Sequence, residues 1–81
     1  MATLPPLELD ARPFFASGRQ PLPAILSAIN RLEPGQSLQL IMPFQPLPLY
    51  NLLRARGYTA VPQERADGAW NVLFRPSGPA P

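Results

Sequence analysis

The chain contains no cysteine, no histidine and no lysine. Without cysteine there is no disulfide framework, no thiol nucleophile and no soft-metal site, and nothing about redox compartment can be read from that residue. Without histidine and lysine, a general base working near neutral pH would have to be one of five carboxylates with a raised pKa. Gly-x-Ser-x-Gly and a phosphate-cradling glycine loop are missing as well. The carboxylates Glu8 and Asp10 share a strand face, but near its solvent side, where solubility is explanation enough. The chain is therefore expected to have no catalytic residues, no metal and no cofactor. Residues 1–6 lack the basic start and apolar core of a signal peptide, and no apolar run approaches the roughly 18 residues of a membrane span. A cytoplasmic location without membrane contact is the default expectation.

What is present is hydrophobic enough to fold. Hydrophobic residues make up 46% of the 81 positions, so one domain with one core is expected, and thirteen prolines must fall at ends and loops. The domain should span 7–75, between a flexible start (1–6) and a flexible proline-rich tail (76–81). Net charge is +2, carried by seven arginines spread along the whole chain rather than gathered in a tract. Such a distribution does not demand a nucleic-acid partner, and none is expected. An arginine-only set of bases among many alanines, prolines and leucines also reads as coding bias.

Leu7-Glu8-Leu9-Asp10 alternates with period two, as a half-buried strand does, and Pro13 ends it. Pro13 to Gln20 has no periodicity and reads as a loop carrying Phe14 and Phe15. Leu22, Ile25, Leu26, Ile29 and Leu32 then recur at helical spacing, with Pro21 and Pro23 suited to a first turn and Glu33-Pro34-Gly35 as a stop. A second strand follows over Ser37 to Met42, with Leu38, Leu40 and Met42 on one face. Leu49, Leu52, Leu53 and Arg56 outline a short second helix ended by Gly57. Tyr58 to Arg65 and Ala69 to Arg75 form a hairpin about Asp67-Gly68, and Pro62 puts its strand at an edge or a bulge.

The order β-α-β-α-β-β predicts an α/β (α+β) two-layer sandwich, with a mixed four-stranded sheet and two helices on one face. If Leu38, Leu40 and Met42 face the helices together with Trp70, Val72 and Phe74, then Ile41 and Leu73 lie on the open face. They are the candidate interface residues for a homodimer or another protein partner.

Leu9-Asp10-Ala11-Arg12, the helix start Pro21-Leu22-Pro23, and Leu32 through Leu38 resemble the TusA-like (SirA-like) sulfur-carrier domains. The segment Phe44 to Tyr50 and the closing strand Trp70 to Arg75 resemble more closely an uncharacterised branch of that superfamily, domain of unknown function 2249. The resemblance covers 7 to 75 and implies the same element order. It also marks two departures. Sulfur carriers place a cysteine before the Pro-x-Pro at the helix start, where the helix's positive end stabilises a thiolate; Gln20 stands there. The uncharacterised branch typically has a His-Asp pair before the proline matching Pro46; Phe44 and Gln45 stand there. Sulfur relay and metal ligation are thereby excluded for this chain.

Three binding surfaces follow from these readings. An interaction module would use the open sheet face or the start of the first helix. A small-molecule or anion binder would use that helix start through Arg12, Arg19 and Gln20, and the candidate ligand or partner contacts there are Arg12, Arg19, Gln20, Pro21, Phe44 and Gln45. Asp10 and Arg12 also have a plain structural role as an ion pair at the exit of the first strand. A weak RNA binder would set Arg54, Arg56, Arg65 and Arg75 among Tyr58, Trp70 and Phe74, although alternation assigns Trp70 and Phe74 to the core.

Overall fold

Strict alternation over Leu38–Met42 gives the central strand β2, whose inward residues Leu38, Leu40 and Met42 are all buried. In a computed structural model that describes residues 4–76, this strand is flanked by β1 (Leu7–Asp10), parallel to it, and by β4 (Trp70–Pro76), antiparallel. The remaining strand β3 (Tyr58–Glu64) pairs antiparallel with β4, so the sheet order is β1-β2-β4-β3. The mixed four-stranded sheet is the one the alternation predicts.

Among the described residues three helices, rather than two, accompany it. The segment 13–20, read from sequence as a loop, begins with a short helix α1 (Arg12–Ala16). Asp10 accepts the Arg12 amide at 3.0 Å and Pro13 supplies a helical φ in the first turn. Five residues are too few to display an apolar stripe, and α1 buries none of them. The long crossover helix α2 (Leu22–Asn30) has Pro21 at its N-cap and Pro23 in its first turn. Its inner face is Ile25, Ala28 and Ile29, whereas Leu22, placed on the stripe by spacing, is the first residue of the helix and is exposed. Helix α3 (Leu47–Ala55) contributes Leu49 and Leu53 to the same core, and Gly57, at φ +88°, lets the chain reverse into β3.

Both long helices thus lie on one face, over Leu38, Leu40, Met42, Val72 and Phe74. Trp70 faces the same way but sits at the end of β4 and stays half-buried. The β3–β4 turn is a three-residue loop rather than one needing two left-handed residues. Gly68 N–H donates to the Arg65 carbonyl at 3.1 Å, only Gly68 has positive φ, and the Asp67 carboxylate accepts the Ala69 amide.

Pro62 lies on the edge strand, as its missing donor requires. Arg65 N–H donates to the Ala69 carbonyl, and by alternation Gln63, Val61 and Thr59 occupy the other inward-bonding positions of β3. The nitrogen of Pro62 therefore points away from β4, where no ladder bond is lost. The expected flexibility of the chain ends concerns mostly 1–3 and 77–81, which lie outside the described residues; Pro76 itself belongs to β4.

Candidate functional site

Strands β1 and β2 are parallel, so the segments that leave their carboxyl ends emerge side by side. The first, after Asp10, turns into α1; the second, after Met42, leads through Pro43 and the fully buried Pro46 into α3. They meet ring to ring: Phe15 and Phe44 stand edge to face with centroids 5.2 Å apart. An edge-to-face pair places the positive rim of one ring on the negative face of the other and needs no enclosing core. Both rings remain open to solvent, Phe44 to 50%, and Leu47, three residues on, is 58% exposed. Arg19 lies over the ring of Phe14 at 4.9 Å, and its amide donates to the Phe14 carbonyl at 2.8 Å, which folds the α1–α2 link back onto α1.

Of the residues that sequence reasoning proposed as contacts, Phe44 and Gln45 belong to this loop end, Gln45 accepting the Leu47 amide through its carbonyl. Arg19 and Gln20 are exposed in the α1–α2 link, and Pro21 caps α2. Pro21 and Pro23 together remove two of the amides that a helix start otherwise offers to an anion. Arg12 is turned elsewhere. Its guanidinium donates to both Asp10 oxygens, at 3.0 and 2.8 Å, and to Asp67 at 3.3 Å. Asp67 also receives Arg65, whose other end donates to Asn71.

The result is a charge chain, Asp10–Arg12–Asp67–Arg65, running from the end of β1 to the β3–β4 turn. The Arg12 side chain, then its amide, hold the Asp10 carboxyl below its ordinary pKa, and the same pair raises Arg12. The Ala69 amide, then Arg65, lower Asp67. With two carboxylates on one guanidinium, this corner is already neutralised. A shallow depression of about 420 Å³ beside it is lined by Glu64, Arg65, Asp67 and Asn71.

On the open sheet face Ile41 and Leu73 are half-buried, and Val61, paired with Leu73 across β3 and β4, is 45% exposed. The aromatic residues of the RNA reading are otherwise employed: Phe74 is fully buried, and Tyr58 and Trp70 pack partly against the core. Among the described residues no group of three or more acidic side chains is placed to hold a metal ion, and no helix is long and apolar enough to cross a membrane.

Spacing did not single out Leu47 or Val61, and it assigned Leu22 to the core. A helix's first turn can project past the sheet it packs on, and an edge strand has no neighbour to cover it, so neither position is decided by period alone. No curated protein and no solved structure is significantly similar to the chain. Over residues 8–76 the sequence matches the family model for DUF2249, an uncharacterised conserved protein, and the chain belongs to that family.

Proposed function

We propose that this domain is a non-catalytic protein-interaction module of the TusA-like fold, docking an apolar segment of another protein at the loop end of its sheet. The observation that carries the reading is the solvent-open Phe15–Phe44 pair at the carboxyl ends of the parallel strands, where Leu47 continues it. Exposed aromatics anchored on a rigid scaffold supply large contact area at small entropic cost, which is what interface hot spots need. In the sulfur carriers that the chain resembles, the same end bears the reactive cysteine; with Gln20 in that place, recognition is what remains. The anion-binding alternative is weakened by Arg12, whose charge is committed to Asp10 and Asp67, and by the two prolines at the start of α2.

Selection from a displayed peptide library tests the proposal. Peptides enriched on the wild-type domain should lose at least tenfold in affinity on Phe44→Ala, with the fold intact by circular dichroism. Enriched peptides that bind Phe44→Ala and Leu47→Ser as well as wild type would overturn it.

A second reading, a homodimer through the open face, is favoured by Val61, which extends Leu73 and the neighbouring Ile41 into an apolar strip across β2, β4 and β3. Sedimentation at rising concentration should then show a dimer that Val61→Thr with Leu73→Thr dissociates; a monomer throughout rejects it.

A further inference from the structure

Arg19 is held in place beside the aromatic pair without a carboxylate to serve. Helix α1 closes in a Schellman turn: the amide of Gly18, which has φ +71°, donates to the Phe15 carbonyl at 3.2 Å, and the Arg19 amide donates to the Phe14 carbonyl at 2.8 Å. Such a turn carries the residue two past the helix end back onto its last turn, where an apolar contact usually completes it. Here the contact is a cation on a ring, with the guanidinium carbon of Arg19 4.9 Å from the centre of Phe14. Arg12 and Arg65 are committed to Asp10 and Asp67, whereas the exposed Arg19 guanidinium makes no ion pair and no side-chain hydrogen bond among the described residues. Between Pro13 and Asn30, and again between Pro43 and Leu53, Arg19 is the only charged residue. These two stretches supply Phe15, Phe44 and Leu47.

A guanidinium held over an aromatic face keeps its N–H donors, which radiate in its own plane, open to a planar carboxylate. The stack and the turn together also remove much of the freedom that an exposed arginine otherwise loses on pairing. A free anion gains little here, because one exposed charge pair changes affinity by roughly fivefold or less. The prolines at the start of α2 withhold two of the amides that could have joined in. A carboxylate on a chain already seated by its apolar side chains is in a different position, since it meets Arg19 with no further loss of translational freedom. Consecutive side chains on a helix leave it about 100° apart, so Arg19, lying on Phe14, stands to one side of Phe15 rather than over it. The separation is within reach of about five residues of extended chain.

We infer that the protein segment docked on the Phe15–Phe44 pair carries an aspartate or glutamate, within about five residues of its apolar anchor, whose carboxylate pairs with Arg19. The inference rests on the docking reading and adds the chemistry of the partner. Basic segments are disfavoured, because neither loop-end stretch holds a carboxylate to receive them. Phe14 is a positioning residue in this arrangement, acting through Arg19.

Peptides enriched on the wild-type domain from a displayed library, resynthesised with amidated C-termini and titrated by fluorescence anisotropy, test the inference. Each should hold an acidic residue within about five positions of its apolar anchor, and changing that acid to the matching amide should weaken binding about three- to tenfold. Arg19→Gln, its fold checked by circular dichroism, should weaken the parent peptide by the same factor and leave the amide-bearing peptide unaffected, so that both changes together cost no more than either alone. Arg19→Lys should recover part of the loss, since an ammonium keeps the charge without the planar fork. High salt should erode this factor and leave the loss on Phe44→Ala in place. Phe44-dependent peptides that lack an acid, or that bind Arg19→Gln as tightly as wild type, would overturn the inference and leave the docking reading standing. Peptides indifferent to Phe44→Ala would remove both, and affinity that vanishes on C-terminal amidation would overturn the inference in favour of a terminal carboxylate.

Discussion

Arg12 and Asp67 lie 55 residues apart in the chain and meet at 3.3 Å, tying the exit of β1 to the turn between β3 and β4 across the width of the sheet. Because Arg12 also grips Asp10, and Asp67 also receives Arg65, the contact is one member of a network rather than an isolated surface pair. A third or more of each side chain remains in water, so screening keeps each pair's contribution small.

This network makes stability depend on pH in a defined direction. Asp10 and Asp67 are held below their ordinary pKa in the folded chain, by Arg12 and by the Ala69 amide respectively. Unfolding restores the ordinary value, so the unfolded chain binds protons first as pH falls. The stabilisation is present in full above the unfolded carboxylate range, near pH 4, and disappears as pH drops through the folded values. Urea midpoints should be level between neutral pH and about pH 5 and decline below that. Asp10→Asn should flatten the acid limb; an unchanged limb would refute the assignment.

Phe74 has no exposed surface, pairs with Leu38 and Ala60 on its two sides, and meets the Tyr50 ring edge-on at 6.3 Å. Phe74→Ala should cost about 3 to 5 kcal/mol, because a domain this small has little freedom to close the cavity. Equilibrium denaturation measures it, and a cost below about 1 kcal/mol would contradict the packing.

The Tyr50 hydroxyl is buried without a hydrogen-bond partner among the described residues. Removing an unsatisfied polar group recovers its desolvation cost, so Tyr50→Phe should raise stability by about 1 kcal/mol. A loss of similar size would show that the hydroxyl is bonded in solution.

Gly68 holds φ +87° in the β3–β4 turn, and a Cβ there would meet nothing within 4 Å. Gly68→Ala therefore isolates the backbone term, and should destabilise by about 1 to 2 kcal/mol without disturbing the core. A neutral result in thermal denaturation would mean that the turn relaxes to another form.

Elements with several periods of pattern were readable from sequence. Leu38, Leu40 and Met42 declared β2, and Ile25 and Ile29 declared α2, because burial on one face imposes a repeat. Pro62 declared an edge strand through a missing donor. The rest depends on meetings between distant segments, which leave no local trace. Phe15 finds Phe44 only because β1 and β2 are parallel neighbours. Arg31 and Arg56 come to one end only because two helices share a direction, and Arg75 reaches that end because β4 runs opposite to β2. Helix α1 escaped notice for a different reason: its five residues rest on an aspartate–amide bond and a proline rather than on a buried face.

The outward row of β3 has one further effect. Along its free margin the amides of Tyr58, Ala60 and Glu64 point to solvent, and Pro62 interrupts them with a ring where the next chain would need a donor. At the far margin β1 offers only four residues. Neither border offers a long unbroken row of free donors, so strand-by-strand stacking into fibrils is disfavoured even in concentrated protein.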